Sequence, residues 1–521
     1  MSIWQKIIIF LLFLVLSAPS ANLGDLLNDY LNTESPIMRE KIMRAILKEK
    51  PSVDTIIKLL KNIDYEEPVK KGLIVSENQC IDGVKRPFCW YIPETYDPQK
   101  KTPLIVYLHG GVSTPDIPDS IEEYVKEESF FLAFAEKNSY ILLFPFGQAG
   151  ATWWDSVGVS NVLSQIRITK KKFNIDDNRV FMTGFSDGGS GSFFFAMCYP
   201  TDFAGFIPLN GHPGVGSNNG GIQTYFVNLY NRPLYVINTD LDRLYPDKEM
   251  GPVMELAQNA GANILYRIYT GIGHDFAYGN KEIPLFNKFI ELHPRNLNQS
   301  VIRWETAYPK LGRCMWFSID SINPAGYADW YKDYNMELIN DRIVFGFWPD
   351  DKYKGSGVRV AKVVGDSSLC ALIGIKEGDI FVKLEGKEVK SIDDINDYKA
   401  KKKRGDLTEI AIQRDGSEIN LKGKFPEVTK YNLFRRGLPS ACVGVSFSAN
   451  KFYIKSSQLG AFTNYIDPDM VQLDQNVIIY VDGKKVYDDR VKPDLEFIIR
   501  NFFENWDREQ IYVNKIHISL K

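Results

Sequence analysis

Histidine is scarce in this chain, with five in 521 residues. Cysteine is almost as rare, at six, and no two cysteines are spaced as a C-x-x-C pair. No histidine stands with a carboxylate at the spacing of a helical metal motif. The sequence therefore carries no patterned metal site, and no cofactor is expected. An excess of one charge is also missing, because 62 basic and 65 acidic residues leave a net charge of −3. That balance gives no electrostatic footprint for nucleic acid. Basic runs such as Lys401-Lys402-Lys403-Arg404 read as solvated loop. Beyond residue 21 no apolar run approaches membrane length, so no span is expected there.

The first 21 residues read differently. Lys6 precedes an apolar run from Ile7 to Leu16, followed by Ser17-Ala18-Pro19-Ser20-Ala21. This is the order of a secretory signal, and it predicts a secreted or periplasmic protein. The alternative is retention by an uncleaved anchor. In an exported chain cysteines can pair. Cys80 and Cys89 flank Asp82-Gly83, a hairpin-turn signal, and are the expected pair. The other four cysteines sit in apolar settings and read as buried thiols.

A chain of this length exceeds one core, so about two to four domains are expected. Residues 22–71 have apolar positions at helical spacing, such as Leu26, Leu27, Tyr30 and Leu31, then Ile42, Met43, Ile46 and Leu47. Ser52 reads as the cap of a third helix after Pro51. This helical segment is expected to pack as a collar against the domain that follows. Residues 72–294 alternate short apolar strands with helical stretches, the pattern of an α/β sheet. After His293-Pro294 the texture turns to short aromatic strands and turns. Residues 295–340 and 426–521 read as one β-sandwich-like domain, with 341–425 inserted in it.

The densest chemistry lies at Gly184-Phe185-Ser186-Asp187-Gly188-Gly189. It follows the apolar run Arg179-Val180-Phe181-Met182-Thr183 and precedes a small-residue stretch. Strand, sharp turn and helix follow in that order. Such a turn holds the serine in a strained conformation that only small neighbours tolerate, here Gly184, Gly188 and Gly189. It lifts the hydroxyl clear and aims helix N–H groups at a developing oxyanion. The hydroxyl needs a base, and the base needs an orienting carboxylate. His274 sits in Gly271-Ile272-Gly273-His274, directly after the alternating run 263–269. Loops at strand carboxyl ends are where α/β sheets place their sites. The carboxylate belongs in the loop after strand 232–238, where Asp240 and Asp242 compete. One oxyanion donor is the N–H of Asp187, and the other is Gly110 or Gly111 in Leu108-His109-Gly110-Gly111. His109 is then a loop residue rather than a base. Trp153, Trp154 and His212 are candidates for substrate contact near the cleft. His293 and His517 read as structural.

These stretches, together with Phe144-Pro145-Phe146-Gly147-Gln148, resemble the α/β-hydrolase superfamily over residues 72–292. Within it they look like the polyhydroxybutyrate-depolymerase and feruloyl-esterase-like branch, and like prolyl-oligopeptidase-related catalytic domains. The resemblance implies a doubly wound sheet and hydrolysis through an acyl-enzyme on Ser186, Asp242 and His274. It favours Asp242 over Asp240, because Pro246 matches the D-x-x-V-P-like loop of related hydrolases. It implies hydrolysis of esters or amides without fixing the substrate; the leading reading is an ester substrate, the alternatives a peptide substrate or a catalytically silent binding protein. Residues 341–425 resemble a PDZ domain, through Leu372-Ile373-Gly374-Ile375-Lys376-Glu377-Gly378-Asp379-Ile380 and Leu384-Glu385-Gly386-Lys387. That resemblance implies a peptide ligand added along a sheet edge.

Overall fold

The computed structural model describes residues 22–520, apart from 69, 115, 116, 118, 119 and 351. The expected signal, residues 1–21, lies outside them. The chain divides into two compact units, Met1–Tyr334 with Phe434–Lys521 as the first and Asn335–Leu433 as the second. No helix of the described residues is long and apolar enough to cross a membrane.

The first unit opens with three helices, α1 (Leu23–Asn32), α2 (Pro36–Lys48) and α3 (Val53–Lys61). Each starts on a side-chain cap: Asn22, Ser35 and Ser52 accept from the backbone N–H three residues on. An eight-stranded sheet follows. Its strands are β1 (Gly72–Gln79), β2 (Lys85–Ile92), β3 (Thr102–Leu108), β4 (Ile141–Pro145), β5 (Ile175–Phe185), β6 (Gly205–Leu209), β7 (Leu234–Thr239) and β8 (Ile264–Tyr269). They run in the order β1-β2-β4-β3-β5-β6-β7-β8. The pairs β1–β2 and β2–β4 are antiparallel, and the ladders from β4 through β8 are parallel.

β4, β6 and β7 are buried along their whole length. Continuous apolar runs of this kind suit strands covered on both faces. The covering helices are α4 (Ile121–Glu127), α5 (Ser129–Asn138), α6 (Ser156–Lys172), α7 (Asp187–Cys198), α8 (Gly214–Gly220), α9 (Asp247–Asn259) and α10 (Gly279–Leu292). Phe131, Phe134, Phe286 and Phe289 of α5 and α10 share a core with Ile105 and Tyr107 of β3. The alternate residues Leu104, Val106 and Leu108 are buried on the opposite face, where α7 approaches Leu108 so closely that Gly191 lies against its side chain.

Two further sheets complete the first unit. One orders strands Lys484–Arg490, Asn476–Val481, Lys451–Ser457, Ala441–Ser448 and Val301–Thr306. The other orders Arg313–Cys314, Phe317–Ile322, Leu459–Ile466 and Asn514–Ser519. Trp304, Phe317, Val443, Phe452 and Phe462 put both sheets in one core. The helices α1 to α3 join this same core through Leu27, Tyr30, Ile46, Ile56 and Leu60, with Ile498 and Phe502 of helix Leu495–Asn505. Arg500 also clasps Glu40 of α2 through two 2.8 Å bonds. The collar therefore packs chiefly on the β-rich region rather than on the eight-stranded sheet. The sheet's faces are already covered, whereas helix Leu495–Asn505 offers an apolar stripe.

The second unit holds an antiparallel sheet of strands Phe347–Pro349, Val358–Val363, Ile380–Leu384, Leu407–Arg414 and Ser417–Lys424. Helices Leu369–Leu372 and Ile392–Lys399 lie in it, and Phe345, Val360, Phe381, Ile395 and Ile412 form its own core. A short ladder pairs Glu337–Asn340 with Thr429–Asn432, close to where the chain enters and leaves.

The expected Cys80–Cys89 pairing is not formed, and both thiols are free and buried. The register explains why. Cys80 N–H donates to Val84 O at the turn, while Cys89 stands opposite Val75. Five strand residues, roughly 17 Å, separate the two positions. A disulfide needs Cα atoms within about 7 Å.

Candidate active site

Ser186 occupies the junction of β5 and α7 with φ 60° and ψ −118°. Its N–H donates to Leu209 O on neighbouring β6 at 3.0 Å, which fixes the turn to the sheet. A Cβ on Gly188 would collide with Leu108 O, and one on Gly189 with Leu209 O. The glycines are thus required by close approach to β3 and β6, which the serine's strained turn brings about.

The loop after β3 abuts Ser186. A Cβ on Gly110 would stand 3.2 Å from Ser186 Cβ and 3.7 Å from its Oγ. Gly111 has φ +70°, a conformation that favours glycine. His109 holds the loop from below. Its Nδ1 lies 2.6 Å from Gly110 O, and its Nε2 accepts Gly147 N–H at 3.0 Å. That pattern requires a neutral ring with its proton on Nδ1. Burial lowers the pKa of this imidazole, in keeping with the neutral form. Trp153 Nε1–H donates to His109 O at 2.9 Å.

His274 follows β8, and its Nδ1 lies 2.8 Å from Asp242 Oδ2. Asp242 follows β7 and its side chain is fully buried, whereas that of His274 is 23% exposed. Asp242 Oδ1 accepts from the N–H groups of Leu244 at 2.8 Å and Tyr245 at 3.0 Å. Asn210 Nδ2 donates to Oδ2 at 2.9 Å. Burial alone would raise this carboxyl's pKa, but hydrogen bonds from His274 and Asn210 outweigh it and hold the pKa below the usual value. Asp242 is therefore a fixed anion. Asp240 instead accepts Gly271 N–H at 2.8 Å and ties the β8 loop down. The His274 ring rests on Phe185, the residue before Ser186, at 4.9 Å between centroids. Among the described residues Ser186 Oγ makes no hydrogen bond. Hydrogen bonds of this kind often close only with substrate bound.

The remaining candidates are placed as follows. Trp153 is wholly buried and Trp154 is 3% exposed. The Trp153 ring packs against Gly147 and Gly191. Trp154 lines a cavity of about 410 Å³ with Phe194, Tyr199 and Arg167, and neither Ser186 nor His274 is in its wall. Neither indole offers a free face beside the serine. His212 is buried too, with Nε2 2.9 Å from Glu249 Oε1 and its Nδ1 accepting Gly214 N–H. His293 Nδ1 bonds Phe289 O, and His517 Nδ1 bonds Asp320 on the distant β-rich sheet.

Two side-chain roles escaped the sequence reading. Asn210 follows β6 at φ 43°, bonds both Asp242 and Thr239 Oγ1, and accepts from Tyr278 O–H. A polar residue closing the apolar run Phe206–Leu209 was its one visible signal. The side chain of Asp187 bonds Val112 N–H, 75 positions away, and nothing in the sequence marks that.

No family model matches the chain. It is 27% identical over 143 residues to a bifunctional acetylxylan esterase/xylanase, XynS20E, of Neocallimastix patriciarum. The match covers 26% of this chain and spans a fifth of that relative's length, 20%. Among solved structures, a thermostable esterase shares 21% identity and a TM-score of 0.34, over 43% of this chain and 63% of that one. The fluorophosphonate-binding serine hydrolase F of Staphylococcus aureus shares 14% and 0.35, over 42% and 98%. Over part of its length the chain is thus similar to proteins described as esterases and a serine hydrolase.

Proposed function

We propose that this chain is a serine hydrolase of carboxylic esters working through an acyl-enzyme. The observation that carries the reading is the buried Asp242 anion 2.8 Å from His274 Nδ1, at the same sheet edge as the strained Ser186. Asp242 keeps the His274 proton on Nδ1, so Nε2 is free to accept the Ser186 proton. The serine oxygen then attacks the ester carbonyl, and the charged oxygen meets N–H groups of Asp187 and of Gly110 or Gly111. His274 returns the proton to the leaving alcohol, and water repeats the sequence to free the acid.

Further parts of the reading stand as proposals with it. Residues 1–21 act as an export signal. The β-rich region is a sandwich, and the second unit is a PDZ-like module for a peptide ligand. Acetyl esters head the list of acyl groups, following the name of the curated relative.

The test is covalent. A fluorophosphonate probe should label Ser186 at neutral pH and no other serine. Labelling should vanish in Ser186→Ala and in His274→Ala, and a panel of acetyl, feruloyl and longer acyl esters should be turned over. A folded protein that resists the probe and cleaves none of the panel would falsify the esterase reading. Labelling with cleavage of peptide amides alone would move the substrate class to peptides.

A further inference from the structure

The residue after the nucleophile is usually discussed for its backbone N–H. Asp187 has a second feature. Its carboxylate turns back from the first position of α7, and Oδ2 accepts Val112 N–H at 3.0 Å. Val112 is completely buried and immediately follows Gly110-Gly111, the loop against Ser186. That loop has other anchors. The His109 ring ties it to Gly147, and Trp153 holds His109 O. These anchors fix it to the neighbouring β4 loop. The Asp187 carboxylate ties it to the elbow.

We infer that Asp187 is a positioning residue that sets the separation of the two oxyanion donors, its own N–H and that of the Gly110-Gly111 loop. This rests on the hydrolase reading above. An oxyanion hole works because its donors are placed before charge develops. Here one residue supplies the first donor through its backbone and grips the loop of the second through its side chain. The bland alternative is an acid at a helix start, placed there for the helix dipole. Such an acid can stay in solvent. This one is partly buried, and no ion pair to it occurs among the described residues. Burial raises its pKa, opposed by N–H groups of Val112 and Gly111. A carboxylate held against that cost is held for the backbone groups it binds.

Two substitutions separate geometry from charge. Asp187→Asn keeps an acceptor oxygen at the same reach and loses the charge. Asp187→Glu keeps the charge and the dipole benefit but displaces the oxygen by one methylene. Steady-state hydrolysis of a small acyl ester, with thermal melts as the folding control, reads the result. Asp187→Asn should stay within about threefold of the parent kcat. Asp187→Glu and Asp187→Ala should lose about ten- to a hundredfold in kcat with KM little changed. That is at or below the ~10²–10³ found on deleting a donor outright. A slow Asn variant, or a Glu variant as fast as the parent, overturns the inference. An inactive, unlabelled parent protein counts against the hydrolase reading instead.

Discussion

Glu305 is 4% exposed, and its Oε1 accepts from Tyr331 O–H at 2.7 Å and Ser440 Oγ at 2.6 Å. Burial pushes its pKa up to about 7, despite those two bonds. The folded protein therefore keeps this proton between about pH 4.5 and 7, where the unfolded chain releases it. The contribution of Glu305 to stability is greatest below that window and falls as pH rises through it, by on the order of 3 kcal/mol in full. Glu305→Gln removes the titration. Its melting temperature should exceed the parent's at pH 8 and nearly match it at pH 5. An equal gap at both pH values would reject the assignment. The carboxylates of the site give a kinetic counterpart. On the proposed mechanism Asp242→Asn should cut kcat by about 10³–10⁴, because His274 would lose its tautomer control. Asp240→Asn should cost far less, since it loses a loop bond to Gly271. The reverse order in measured kcat would transfer the role to Asp240. Ser186, His274 and the glycines were legible in the sequence because each sits where an apolar run breaks. Asn210 and the Asp187 carboxylate were not, because their roles are contacts to residues 32 and 75 positions away.

At the scale of elements, local patterns carried well and long-range charge did not. Continuous apolar runs gave β3 to β7, and α3 begins on Ser52, the cap read from its sequence. The hairpin of β1 and β2 was also legible, but its register was not, which is why the cysteine pairing failed. A buried ionic cluster was invisible. Lys170 of α6 lies 3.0 Å from both Asp177 of β5 and Asp507. Arg295 grips Asp507 through bonds of 2.8 and 2.9 Å, and Arg508 reaches Asp177 at 3.2 Å. Asp507 follows helix Leu495–Asn505, so the cluster stitches the eight-stranded sheet to the chain's far end. The burial of Asp507 would raise its pKa, but Arg295 and Lys170 hold it well below the carboxylate range. Asp507→Ala leaves Arg295 buried without its anion and Lys170 with Asp177 alone. The expected loss is about 3–5 kcal/mol in denaturant unfolding. A loss under about 1 kcal/mol would mean the cluster is dispensable.

At the scale of the whole molecule, the first unit is rebuilt from two stretches of chain around an insertion. The collar helices and both β-rich sheets share one core, and the Asp507 cluster binds that region to the sheet carrying Ser186. The sequence showed the change of texture after His293. It could not show which surfaces meet, because sharing a core leaves no local pattern. The insertion Asn335–Leu433 has a core of its own. Its two crossings run side by side: Asp333 pairs with Arg436 at 3.2 Å, and Leu433 N–H donates to Met336 O at 2.8 Å. Excising Asn335–Leu433 and joining Tyr334 to Phe434 through a short glycine-serine link should therefore close the first unit without strain. Every residue of the proposed mechanism lies in what remains. The shortened protein should melt cooperatively, take the fluorophosphonate probe at Ser186, and hydrolyse a small acyl ester within about threefold of the full chain. Differences should appear with large or peptide-bearing substrates. If a folded excision variant loses the small-ester rate, the inserted unit contributes to the site itself, and the division of labour drawn from the two cores is wrong.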